Sequence, residues 1–170
     1  MNNPNSYDDG VFIALGSNLA GAYASREALL DAALTRFPTA GLTVARRSSW
    51  WRSLAWPDPA APDYLNGVAL VETSLAPGEV LAALIALETA FGRRRGELNA
   101  PRTLDLDLIA FGRRILDEPS LAVPHPRAHE RGFVMGPFAE IAPAWAHPVT
   151  GERAADLAAR ARVGADARPS

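Results

Sequence analysis

Apolar residues change their period along the chain, and each change predicts a different element. Residues 11–15, Val-Phe-Ile-Ala-Leu, form an unbroken apolar run closed by Gly16-Ser17-Asn18, the pattern of a strand ending in a turn. Over 25–37, Ala28, Leu29, Ala32, Ala33 and Phe37 recur at helical spacing, and Pro38 follows as a breaker, which predicts a first helix. Thr43, Val44, Trp50 and Trp51 make 42–52 strand-prone. Pro57, Pro59 and Pro62 oppose both helix and paired strand, so a loop is expected over 53–63. A third strand over 64–73 leads to a helix that starts at Pro77, a residue suited to a first turn, and runs to Phe91 with Gly92 beyond it.

The stretch 92–101 has two glycines, three consecutive arginines and a closing proline, the composition of a mobile connection. A fourth strand follows over 104–111, then a turn at Gly112-Arg113-Arg114, a short returning strand from Ile115 and Leu116, and weaker helical patterns over 134–141 and 154–161. The order βαββαβ predicts an α+β fold: a ferredoxin-like antiparallel sheet with helices on one face and a C-terminal extension. Residues 1–10 and 163–170 read as flexible tails around one domain over 11–162, a division that suits a chain of 170 residues.

Composition changes this picture mainly by exclusion. Apolar residues at 48% and charged residues at 21% match a globular chain. Seventeen basic against 19 acidic residues give a net charge of -2, which argues against nucleic-acid or anionic-membrane partners. All the basic residues are arginine; without lysine there is no Schiff-base chemistry and no P-loop lysine. Without cysteine there is no thiol nucleophile, disulfide or thiolate metal site, which is compatible with a reducing cytoplasm. The first residues lack a basic segment followed by an apolar run, so neither a signal peptide nor a membrane anchor is expected. Phosphate chemistry in such a chain falls to arginines and metal-binding carboxylates.

Leu104-Asp105-Leu106-Asp107-Leu108 carries the sharpest local signal. Strand alternation puts the three leucines on one face and Asp105 and Asp107 on the other, the two carboxylates about 7 Å apart. One reading is the solvated face of an amphipathic strand. The other is a site for one or two Mg²⁺ ions shared with substrate phosphates. Arg93, Arg94, Arg95, Arg102 and Arg113 lie around it, and guanidinium forks match phosphate oxygens. His125 and His129 are four apart, but Pro124 and Pro126 oppose the helix a zinc pair would need, so zinc is not expected. Asn66, beside Tyr64, is either a strand-end cap or a buried amide that reads a ligand's donor and acceptor edge.

Four blocks stand in one register: Ala14-Leu15-Gly16-Ser17-Asn18-Leu19, Pro62-Asp63-Tyr64-Leu65-Asn66, Pro101-Arg102-Thr103-Leu104-Asp105-Leu106-Asp107-Leu108, and Val123-Pro124-His125 with Arg131-Gly132-Phe133. Over about 11–145 the chain thereby resembles the 6-hydroxymethyl-7,8-dihydropterin pyrophosphokinases of folate biosynthesis. The resemblance implies a ferredoxin-like fold and pyrophosphate transfer from ATP to the pterin hydroxymethyl group, releasing AMP, in a cytoplasmic monomer. It makes Asp105 and Asp107 the ligands of two Mg²⁺ ions, and Arg95 and Arg102 catalytic arginines on the triphosphate. Glu88, Arg93, Leu108, Leu121, His125 and Arg131 match further ATP contacts. Ser53, Leu54, Trp56, Tyr64, Asn66 and Phe133 match the pterin pocket, with Tyr64 and Phe133 as the sandwiching aromatics. Leu98, Asn99, Ile85, Ser120, Ala122 and Pro126 depart from the family's usual side chains.

Two rivals stay open at this point. A Mg²⁺-dependent nucleotidyl or glycosyl transferase would also use an Asp-x-Asp pair. A ferredoxin-like RNA-binding module would need exposed strand aromatics and a basic surface, which the charge balance does not favour.

Overall fold

The structure is a computed structural model that describes residues 7–55, 58, 60–93 and 103–170. Strand β1 (Val11–Ser17) is buried along its whole length and is flanked by β4 (Tyr64–Glu72) on one side and β5 (Asp105–Phe111) on the other. Beyond β4 lie β2 (Thr43–Arg47) and β3 (Trp51–Ser53), and β3 in turn pairs with β8 (Arg168–Pro169). Every one of these pairings is antiparallel. A separate hairpin joins β6 (Leu116–Glu118) to β7 (Leu121–Val123).

The strand expected over 42–52 is interrupted at 48–50. Ser48 takes over the ladder there: its N–H donates to Val68 O at 2.9 Å, and its hydroxyl accepts from Val68 N at 3.0 Å. The detour also lays the Trp50 ring on Gly67, where a Cβ would stand 2.5 Å from the ring, so only glycine tolerates this approach.

Helices α1 (Arg26–Arg36) and α2 (Pro77–Ala90) cover one face of the sheet. The Ser25 hydroxyl caps α1 by accepting from Ala28 N at 3.0 Å, and Glu79 reaches back to Ala76 N at 3.0 Å in α2. Leu29, Leu30, Leu84 and Leu87 pack there on Ile13, Leu15, Leu106 and Leu108. The opposite face is covered as well, which corrects the expectation of helices on one face. Phe12, Val68 and Ile109 meet α3 (Gly132–Ile141) and α4 (Ala154–Arg160), with Phe138 stacked on Phe12 at 4.2 Å between ring centroids. An unbroken apolar run such as Val11–Leu15 needs cover on both faces, and the C-terminal extension supplies the second.

The two expected tails also differ from the reading. Tyr7 donates from its hydroxyl to Ile141 O at 3.1 Å, so 7–10 is bound to the fold; residues 1–6 lie outside the described residues. At the other end, Trp51 and Arg52 pair with Pro169 and Arg168, and Ser170 N donates to Trp50 O at 2.8 Å. Among the described residues no helix is long and apolar enough to cross a membrane.

Candidate active site

The site lies where α3 stops covering the sheet. Asp105 of β5 pairs with Gly16 of β1, Gly16 with Asn66 of β4, and Asn66 with Trp51 of β3, a single row across four strands. Residues opposite one another in an antiparallel ladder project to the same side, so Asp105 and Asn66 face the same space, about 10 Å apart across two strand spacings. Gly16 stands between them and Ala14, two pairs along, lies between Asp107 and Val68; these small residues leave that part of the sheet uncovered. The result is a cleft of about 590 Å³ floored by Ala14, Gly16, Asn66, Asp105 and Asp107.

One wall is aromatic and polar. Tyr64, Ser53 and Leu54 line it, and buried Asn66 donates from Nδ2 to Ser53 Oγ at 2.9 Å. That bond fixes the amide's orientation, and its carbonyl oxygen and second N–H can read a flat heterocycle's edge. Phe133, at the start of α3, lines the facing wall, with the Arg131 guanidinium 5.8 Å above its ring. Arg26 and Arg52 both pair with Asp63, at 3.0 and 3.6 Å, which ties down the chain as it enters β4.

The acidic end is organised from behind. Strand β5 is an edge strand of its sheet, and the Leu106 N–H on that edge donates to the buried Glu88 carboxylate of α2 at 3.4 Å. Glu88 also pairs with Arg93, and Arg93 Nη1 lies 3.2 Å from Asp105 Oδ1. A guanidinium thus already occupies cation space at Asp105. Among the described residues no three His, Cys, Asp or Glu side chains form a metal cluster. Two carboxylates facing an open cleft instead suit Mg²⁺, which keeps waters and takes substrate phosphate oxygens as further ligands.

His125 precedes the turn that leads to Arg131. Its N–H donates to Ile109 O at 2.8 Å, which anchors it beside β5. Its pKa is lowered to about 4, first by burial and then by the Arg131 and Arg127 charges, against an upward pull from Asp105. The ring is therefore neutral at pH 7. Its Nδ1 accepts from Arg127 N at 3.2 Å, which assigns the ring proton to Nε2.

Of the residues singled out from sequence, Ser53, Leu54, Tyr64, Asn66, Asp105, Asp107, Arg131 and Phe133 line the one cleft. Glu88, Arg93 and His125 stand behind its acidic end without lining it. Leu108 points its side chain away from the aspartates into the core under α1 and α2, and Leu121 of β7 packs on that same core. Their backbones, not their side chains, remain for any ligand. Trp56, Arg95, Arg102 and residues 94–101 of the mobile connection expected over 92–101 lie outside the described residues. Sequence reasoning missed Arg127, Glu130 and Val163, which also line the cleft. Arg127 and Glu130 were visible only as members of a charged run, and Val163 carried no signal.

A sheet whose open end pairs a carboxylate face with a hydrogen-bonding aromatic slot suits phosphoryl transfer to a flat heterocyclic substrate. The model of the 7,8-dihydro-6-hydroxymethylpterin-pyrophosphokinase (HPPK) family matches residues 12–143, and the chain belongs to that family. The 2-amino-4-hydroxy-6-hydroxymethyldihydropteridine pyrophosphokinase of Synechocystis sp. is 44% identical over 144 residues, 84% of this chain and 71% of that protein. The enzyme of the same name from Pseudomonas aeruginosa is 43% identical over 133 residues, 78% of this chain and 80% of that protein. Among solved structures, wild-type Plasmodium falciparum HPPK-DHPS superposes with a TM-score of 0.66 at 10% identity, over 88% of this chain and 44% of that one. That likeness concerns the fold alone, and this chain spans less than half of the larger protein.

Proposed function

We infer that this cleft performs the reaction of the family: pyrophosphate transfer from ATP to the hydroxymethyl oxygen of 6-hydroxymethyl-7,8-dihydropterin, releasing AMP, in folate biosynthesis. The observation that carries the reading is the row Asp105–Gly16–Asn66, which sets phosphate-side carboxylates and a ring-reading amide about two strand spacings apart on one open surface.

In this reading Asn66 and Ser53 bind the pterin edge, and Tyr64 and Phe133 hold its faces. Asp105 and Asp107 would hold Mg²⁺, two ions by the family resemblance, which when bound supplies charge neutralisation on the phosphates. Arg93, Arg131 and the neutral Nε2–H of His125 offer donors to the triphosphate, with Arg95 and Arg102 assigned to it by the resemblance. Glu88 acts on the nucleotide side through Arg93, which it holds beside Asp105. Little covalent work is asked of the protein: fixed donors and the oriented hydroxyl lower the barrier by positioning and by electrostatics.

The strand sequence β5, β1, β4, then the interrupted β2 and β3, supports reading the sheet as ferredoxin-like: fourth, first, third, second. The reading extends to a cytoplasmic monomer whose partners are its small-molecule substrates, and the near-balanced charge speaks against nucleic-acid or anionic-membrane partners. The rival nucleotidyl or glycosyl transferases are disfavoured by the match of the pyrophosphokinase family over residues 12–143. Product analysis tests the reading: AMP should form only when MgATP and the reduced pterin are both present, and AMP formation independent of the pterin would defeat it.

A further inference from the structure

The C-terminal segment lies outside the region matched to the family, yet it touches both walls of the cleft. Val163 N donates to Glu130 O at 3.1 Å, and Val163 O accepts from Gly132 N at 2.7 Å, which zips the segment along the residues before Phe133. Val163 itself lines the cleft. Gly164 follows at φ +67°, and a Cβ there would stand 2.4 Å from Phe133 Cδ1, so this turn of backbone lies directly against the ring and only glycine fits. Two residues on, Asp166 Oδ2 accepts from Leu54 N at 2.7 Å on the opposite wall. The pairing of Arg168 and Pro169 with β3 then fixes the far end.

We propose that residues 163–170 form a strap that holds the two pterin walls at a fixed separation, with Asp166 as a positioning residue for pterin binding. The inference rests on the pterin reading of the cleft. Leu54 is exposed and begins the proline-rich loop, and Asp166 is the side chain that fixes its amide among the described residues. Ser53, next to it, is buried and receives the Asn66 amide, so the Asp166–Leu54 bond holds the chain adjoining the ring-reading pair. A wall ordered beforehand need not be ordered by the ligand, and this saving belongs to pterin affinity. The carboxylate is exposed and among the described residues meets none assigned to ATP, so MgATP affinity and turnover have no reason to follow it.

The variants are Asp166→Ala, Asp166→Asn and a chain ending at Arg162, each checked by circular dichroism and thermal melting. Pterin binding is titrated by the ligand's own fluorescence, and KM for each substrate and kcat are measured. Asp166→Ala should weaken pterin binding and raise its KM roughly threefold to tenfold, the loss of one charge-assisted bond at an exposed site, with kcat and the MgATP KM within about twofold. Asp166→Asn should restore pterin affinity, because its amide oxygen can accept from the same N–H. The shortened chain should lose pterin affinity by at least as much as Asp166→Ala. Unchanged pterin affinity in Asp166→Ala, an equal rise in both KM values, or failure of Asn to rescue would overturn the strap. If wild-type protein binds no pterin, the reading of the cleft fails and the strap falls with it. If wild type binds and Asp166→Ala binds equally, only the strap fails.

Discussion

Asp105 and Asn66 share one row of the sheet, two strands apart, with Gly16 alone between them. This arrangement sets the distance between the end of the cleft that handles charge and the end that reads a ring. It also makes the middle of the row sensitive to any side chain.

Gly16 should therefore not accept bulk. A Cβ at this position would lie 3.2 Å from Asn66 Oδ1, already tight, and the γ-methyls of valine would enter the space between the amide and Asp105. Gly16→Val is expected to lower kcat/KM for the pterin by at least about tenfold with the melting transition largely kept, since the backbone here is ordinary strand. Steady-state kinetics beside thermal melting checks this.

Asn66→Ala should weaken pterin binding far more than MgATP binding. It removes the donor and acceptor edge and leaves Ser53 Oγ without its partner at 2.9 Å, an effect of about 1–3 kcal/mol. Calorimetric titration of each ligand separates the two losses, and equal losses would assign Asn66 a purely structural role.

Arg93→Ala should destabilise the fold. The Glu88 carboxylate, 5% exposed, would keep only the 3.4 Å contact from Leu106 N among the described residues. An uncompensated buried charge of this kind costs about 3 kcal/mol. Adding Glu88→Gln removes the charge and should recover part of the loss, a coupling that chemical denaturation of the two single variants and the double variant would measure.

Acid should weaken the fold through His125. Its pKa lies near 6.5 when unfolded and at about 4 in the fold, so between those values the unfolded chain holds a proton that the folded one lacks. Stability contributed in this way is complete above pH 6.5 and falls as the pH drops toward 4. Buried His147, whose pKa is lowered by burial and then by His129, acts in the same direction. His125→Gln should flatten the fall between pH 6.5 and 4 without abolishing it, as urea denaturation at stepped pH would record.

Much of the floor of the cleft was legible because strand periodicity is local. Leucines at 104, 106 and 108 assigned the aspartates to the other face before any fold was known, and the structure keeps that division. What stayed hidden depends on contacts distant in sequence. Asp166 meets Leu54 across 112 positions, and nothing in a polar C-terminus announces such a contact. The double cover of the sheet was present in principle in the apolar run of β1, but the weak helical pattern over 134–141, broken by Gly136 and Pro137, concealed what covers it. Leu108 shows a limit of another kind: family correspondence assigned it to the nucleotide without saying through which atoms, and its parity on β5, which sends the side chain into the core, leaves that role to its backbone.

The most direct test of the account follows the phosphates themselves, in wild type and in Asp107→Asn. With ATP labelled at the β-phosphate, wild type should deliver the label to the pterin together with the γ-phosphate and leave unlabelled AMP. Asp107→Asn, whose leucine face and core are untouched, should fold normally and transfer label about 10²-fold more slowly or worse. Label retained in ADP, or near wild-type transfer by a folded Asp107→Asn protein, would contradict the assignment of this cleft to pyrophosphate transfer.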